Sequence, residues 1–304
     1  MPTYLIPPEE NGKRIDVVLT TLLRVTRGRV QAAMKAGLVT REGKILKPHA
    51  LAFEGETLHY SLPDELPALK KAAPTSIKIV FEDDDVLIVS KPAGLLVHAT
   101  HEGSAQSTLV DAILVTHPHI QKVGENALRP GIVHRLDKDV SGLMVVAKNQ
   151  EAFVHLKSQF ANRKVKKEYI ALAYGPLPQE HGIIDLKIAR SKNRGRMVAR
   201  PEGQPGKEAL TEYDVVTRYK TTTLARVHTL TGRTHQIRTH FKGIDHPLVG
   251  DQLYKKKHMR HIKPIPLPRI FLHAARLTVP LPNGTIETFE DPLPDDLKKV
   301  LATL

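Results

Sequence analysis

Between residues 134 and 139 the chain sets His134, Arg135, Asp137, Lys138 and Asp139, then passes through Ser141-Gly142 into the apolar run 143–147. A carboxylate placed just before a buried element must be solvated, paired or used. Asp137 and Asp139 are both candidates for proton transfer or nucleophilic attack, against the plainer alternative of a solvated loop with local salt bridges. A second candidate is Tyr169, one tyrosine in the strand-like, otherwise small and aliphatic stretch that ends near Gly175. Its plainer alternative is a core tyrosine with a satisfied hydroxyl. The third is Thr231-Gly232-Arg233-Thr234-His235-Gln236-Ile237-Arg238-Thr239-His240. If Thr234 caps a helix, Arg238 lies one turn in on the face of His235 and can offer a bidentate fork to a carboxylate on another element.

Other chemistries lack their residues. The chain has no cysteine, which excludes disulfides, thiol nucleophiles and cysteine-based metal centres. His228, His235, His240 and His246 show neither a four-residue helical spacing nor a finger spacing, so no metal site is expected. Phosphate loops of the G-x-x-x-x-G-K-[ST] type, dinucleotide fingerprints and nucleophile elbows are missing, and no nucleotide cofactor is expected.

Strands and helices must hold these residues. Apolar and β-branched runs predict strands at 77–81, 86–90, 142–147, 167–173, 212–218, 224–230 and 275–279, with helices at 108–115, 150–162 and 234–242. Strands that outnumber helices without alternating with them predict an α+β body around a largely antiparallel or mixed sheet with flanking helices. Ahead of it, residues 13–62 read as two short helices, the second capped by Thr26, followed by a small sheet. The proline- and charge-rich stretch 63–76 reads as a linker, giving domains at 1–62 and 77–304. Residues 191–206 and 255–263 read as basic loops.

Lys and Arg number 45 against 32 Asp and Glu, a net charge of +13 over 304 residues that favours a polyanionic partner, nucleic acid first. No apolar run approaches a membrane span, and residues 1–10 have no basic-then-apolar leader. A cytoplasmic, monomeric protein without membrane attachment is expected.

Taken in order, Lys91-Pro92-Ala93-Gly94, His134-Arg135-Leu136-Asp137 with Ser141-Gly142-Leu143, Lys167-Glu168-Tyr169, Gly232-Arg233-Thr234-His235-Gln236-Ile237-Arg238, His246-Pro247 with Gly250-Asp251 and Tyr254, and Leu272-His273-Ala274 resemble the motifs of pseudouridine synthases. The resemblance is to the branch that modifies large-subunit ribosomal RNA and some transfer RNAs. It implies isomerisation of uridine without cofactor or redox change, by one carboxylate, Asp137, acting as nucleophile or as base at the 2′ position. It further implies that Arg238 pairs with Asp137, that Tyr169 stacks on the target base and that Arg135 enters the space the flipped base leaves. Lys91, His134 and Arg233 would meet RNA. Residues 1–62 resemble an S4 RNA-binding domain, in which Arg14, Arg27, Arg29, Lys35, Arg41 and Lys44 would contact phosphates. The alternatives are a transfer-RNA substrate, or a non-catalytic RNA-binding or ribosome-assembly protein on the same fold.

Overall fold

The computed structural model describes residues 2–23, 25, 27–61, 76–101, 104, 106–191, 195–201, 203–255 and 264–304. The proposed cap Thr26, the linker apart from Ser76, and the basic run beyond Lys255 lie outside the described residues. The chain divides into two compact units: Met1–Pro74 with His98–Ser107, and Thr75–Val97 with Thr108–Leu304.

In the first unit, strand β1 (Thr3–Leu5), helices α1 (Ile15–Leu23) and α2 (Arg27–Lys35), and strands β2 (Val39–Arg41), β3 (Lys44–Ile45) and β4 (Thr57–Tyr60) follow one another. The sheet order is β1-β4-β2-β3. Helical spacing puts Ile15, Val18 and Leu19 on one face and Val30, Ala33 and Met34 on another, and all six are buried with Val39 and Leu58. Asp16 is fully buried in α1, taken by Arg14 through two hydrogen bonds of 3.0 Å and by Gln31 at 2.5 Å.

The second unit is α+β. Its elements are β5 (Lys78–Glu82), β6 (Val86–Lys91), α3 (Leu109–Thr116), β7 (Ser141–Ala147), α4 (Gln150–Ala161), β8 (Lys166–Tyr174), β9 (His181–Asp185), β10 (Lys187–Arg190), β11 (Met197–Arg200), β12 (Leu210–Arg218), β13 (Thr222–Thr229), α5 (Gln236–Gly243), β14 (Leu272–Pro280), β15 (Ile286–Glu290) and α6 (Asp295–Leu301). Nine described strands form one sheet in the order β5-β6-β7-β14-β8-β13-β12-β9, with β15 on β14. Every pairing is antiparallel except β7 with β14. At that parallel seam all seven residues of β7 are buried, as an apolar run covered on both faces requires.

Two local readings change. Part of the stretch expected as a basic loop, Met197–Arg200, is strand β11 and pairs antiparallel with β10, Ala199 opposite Ile188 and Val198 opposite Ala189. Helix α5 begins at Gln236, not after a Thr234 cap: His235 sits in the left-handed region (φ 55°) and no side chain caps the helix there. Gln236 secures the turn instead. Its Oε1 accepts from Arg233 N and Thr231 Oγ1, and its Nε2 donates to Leu210 O and Thr211 Oγ1 of β12.

Candidate active site

Asp137 lies in the loop before β7, between buried Leu136 and Val140. Those two apolar anchors fix the loop, and Val140 N closes a turn on Asp137 O at 3.2 Å. Lys138 O takes a second hold, accepting from Gly94 N at 2.9 Å and from Lys91 Nζ at 3.0 Å. Lys91 Nζ also donates to Pro92 O and Leu95 O, both at 2.8 Å. Lys91 is fully buried, and burial pulls its pKa down to about 7 although Asp139 and Asp137 oppose the shift. The expectation that Lys91 meets RNA is therefore corrected: its three donors are spent inside the protein, on the loop that carries Asp137.

His134 is corrected in the same way. Val145 N donates to its Nε2 at 3.0 Å, and the ring stacks on Phe160 with centroids 4.6 Å apart. Burial, with Lys167 adding to it, brings the imidazole to about 3, so it is a neutral acceptor and not a phosphate cation.

Helix α5 brings Arg238 to Asp137. The guanidinium Nη1 donates to Asp137 Oδ2 at 3.0 Å, while Nε and Nη2 donate to the two oxygens of Asp251 at 2.8 and 2.9 Å. Burial opposes the arginine's charge, but Asp251 and Asp137 outweigh it and raise the pKa above its ordinary value. Asp251 is almost wholly enclosed, its side chain 1% exposed, whereas Asp137 keeps 16%. Among the described residues no hydrogen bond reaches Asp137 Oδ1, which leaves one oxygen of the carboxylate without a partner.

A second cluster adjoins the pair. His235 Nε2 stands 3.7 Å from Asp137 Oδ2, and His235 Nδ1 is 2.8 Å from the hydroxyl of buried Tyr254. The Tyr254 ring lies under Arg238 at 5.0 Å, and Arg196 approaches it at 5.8 Å. Burial pushes the Tyr254 hydroxyl up to about 12.

Tyr169, on β8, is 8% exposed. Burial and the nearby charge of Asp137 raise its pKa, so its ring stands in the field of that carboxylate as a phenol. Arg135 is exposed, makes no hydrogen bond or ion pair among the described residues, and lies close enough for its charge to act on His235. Arg233 is half-buried and gives Nε to Glu208 O at 3.0 Å.

In the first unit, Arg14 is committed to Asp16, and Arg41 to Glu56 at 2.5 Å and to the ring of Phe53. Lys35 and Lys44 are exposed, Arg29 is half-buried, and the side chain of Arg27 lies outside the described residues. Asp251, Tyr254 and His235 stand within the family motifs, but the sequence alone gives none of them a role in the site.

Among the described residues no helix is long and apolar enough to cross a membrane, and no group of three or more His, Asp or Glu side chains is placed to hold a metal ion. Residues 85–242 match the family described as RNA pseudouridylate synthase. The Ribosomal large subunit pseudouridine synthase D of Zymomonas mobilis is 36% identical over 100% of this chain and 98% of its own length. An Uncharacterized RNA pseudouridine synthase of Aquifex aeolicus is 42% identical over 75% of this chain and 72% of its own. The solved structure of Human RNA Pseudouridylate Synthase Domain Containing 1 matches with a TM-score of 0.59 at 27% identity, covering 75% of this chain and 90% of that one.

Proposed function

The chain belongs to the RNA pseudouridylate synthase family, and from that premise we propose that it isomerises uridines of large-subunit ribosomal RNA with Asp137 as the catalytic carboxylate. The substrate reading is supported by the full-length relatives that bear the name Ribosomal large subunit pseudouridine synthase D, and by a net charge of +13 suited to a phosphate backbone. The observation that carries the role of Asp137 is its 3.0 Å bond to an arginine already clamped by Asp251. The clamp keeps the carboxylate aimed while one oxygen is left to act at the ribose.

The reaction breaks the bond from C1′ to N1, turns the uracil, and joins C1′ to C5. No water is activated, so a second carboxylate of the glycosidase kind is unnecessary. The target must first leave its stack at a cost of about a few kcal/mol. Tyr169 offers the flipped uracil a fixed aromatic face, and exposed, unpaired Arg135 fills the space it vacates. Residues 1–62 act as an S4-like RNA-binding module, followed by the linker 63–76, in a cytoplasmic monomer that needs no cofactor.

The test compares carbodiimide-dependent reverse-transcription stops in RNA from cells with and without the gene. Stops are expected to vanish from large-subunit ribosomal RNA and to stay absent when Asp137→Asn replaces the native protein. Stops lost from transfer RNA alone would move the substrate. Stops restored by the Asn variant would remove Asp137 from the chemistry.

A further inference from the structure

The isomerisation has a proton to move that Asp137 does not account for. Once C5 has bonded to C1′ it still holds its hydrogen, and N1, which left with the glycosidic electron pair, lacks one. We propose that His235 is the second proton-transfer residue, its Nε2 taking the proton from C5. This inference rests on the reading that places Asp137 at the reacting sugar.

The geometry singles out this side chain. His235 Nε2 stands 3.7 Å from Asp137 Oδ2, near the carboxylate yet outside hydrogen-bond reach, and the side chain is 25% exposed. Its other nitrogen is occupied, with Nδ1 2.8 Å from the Tyr254 hydroxyl. Tyr254 remains a phenol at working pH, since burial pushes it up to about 12. In the tautomer the proposal requires, Nδ1–H donates to that phenol oxygen, which leaves the lone pair on Nε2. The backbone agrees: His235 holds φ 55°, a left-handed conformation that a non-glycine residue adopts at a cost, at the turn that aims the ring.

The charges facing the imidazole come from three elements. Burial lowers its pKa most, and Arg238 of α5 and Arg135 of the Asp137 loop lower it further. Asp137 and Asp251 oppose them. The balance lowers its pKa from the ordinary 6.5, so the ring is neutral at neutral pH and becomes cationic beside Asp137 only on taking a proton.

The electrons balance without an outside reagent. As the C5–H bond breaks, its pair forms the C5–C6 double bond. The π pair between N1 and C6 returns to N1, the proton passes to Nε2, and the imidazolium then gives a proton to N1 or exchanges it with water. Asp137 stabilises the imidazolium across the 3.7 Å gap, and in this tautomer Tyr254 accepts from Nδ1 before and after the transfer.

The test uses the full chain and an in vitro transcript of large-subunit ribosomal RNA bearing hydrogen, deuterium or tritium at uridine C5. Asparagine tolerates the left-handed backbone and can still donate to Tyr254, so His235→Asn removes the base with least disturbance. The variant is expected to turn over about 100-fold more slowly. It should show a larger deuterium isotope effect than the wild type, and lack the fall in rate expected of the wild type in acid, below the ordinary imidazole range, where His235 would gain a proton. A wild-type rate in the variant, or a slower rate with neither the isotope effect nor the changed pH profile, would overturn the proposal. Should the variant fail to fold, Tyr254→Phe decides: it removes the acceptor at Nδ1 and is expected to displace the acid limb, and an unmoved limb counts against the inference. If the wild type releases tritium and Asp137→Asn does not while His235→Asn behaves normally, the family reading stands and only the role of His235 fails.

Discussion

Arg238 divides its guanidinium between two carboxylates of unequal exposure, and the inequality gives each a different job. Asp251, enclosed, takes Nε and Nη2 and also accepts from Leu253 N at 2.8 Å and Tyr254 N at 3.1 Å, so four donors converge on it. Asp137, more open, receives Nη1 alone. Two carboxylates thus share one guanidinium, and Asp137 keeps an oxygen that no hydrogen bond reaches among the described residues. Asp251→Asn turns one of the paired oxygens into a donor aimed at a donor, inside the protein. Breaking such a buried pair is expected to cost about 3–5 kcal/mol in urea unfolding. Because Asp137 loses its aimed partner, kcat should fall more than KM rises, and an unaltered kcat would separate Asp251 from the site. The pairing of Arg238 with Asp137 was an expectation of the motif order. The same motifs include Asp251 but gave it no partner, because its hold on Arg238 arises only when the turn after Gly250 folds it against α5. The same limit explains Lys91 and His134, whose residue types report possible charge but not the carbonyls and amides that surround them.

The element that aims Asp137 is β7, and its parallel seam with β14 depends on one missing side chain. Gly142 has φ 118°, and a Cβ there would lie 2.3 Å from Ala274 O and 2.6 Å from Ala274 N. Beside it the seam is buttoned by Ser141 Oγ, which meets His273 Nδ1 at 3.0 Å and accepts from Arg269 Nη1 at 2.9 Å. Gly142→Ala must therefore push the paired backbones apart and strain its own φ, a combination expected to cost about 4 kcal/mol or more. Thermal unfolding followed by circular dichroism should show a large drop or no soluble protein, and a melting point within a degree or so of wild type would refute the seam's importance. The apolar run of β7 made this strand readable in advance, as the β-branched stretches of β6 and β13 and the small, aliphatic run of β8 did for theirs. Strands β9 and β15 escaped notice because they are largely exposed and owe their conformation to the neighbours they pair with. Helix α6, seven residues with two buried, carries too little apolar periodicity to stand out.

At the scale of the whole molecule the charge of +13 is not spread evenly in its availability. In the first unit Arg14 and Arg41 are tied to Asp16 and Glu56, so two of the cations expected to grip RNA instead hold the fold. Lys35 and Lys44 are exposed, and a flexible ammonium in water neutralises a phosphate without first giving up an internal carboxylate. The two classes should therefore separate when mutated in the full chain. Each lysine that meets a phosphate contributes about 0.7–0.9 to the slope of log affinity against log salt. Lys35→Ala with Lys44→Ala is expected to weaken binding to a large-subunit ribosomal RNA fragment and to flatten that slope by about 1.5, without moving the unfolding midpoint. Arg14→Ala should do the reverse. It takes from the buried Asp16 carboxylate the guanidinium that gives it two hydrogen bonds, and lowers stability while the salt slope holds. Filter binding across a salt series, run beside urea melts of the same variants, reads both quantities. A double lysine variant whose slope matches the wild type would show that the polyanion is gripped elsewhere on the molecule.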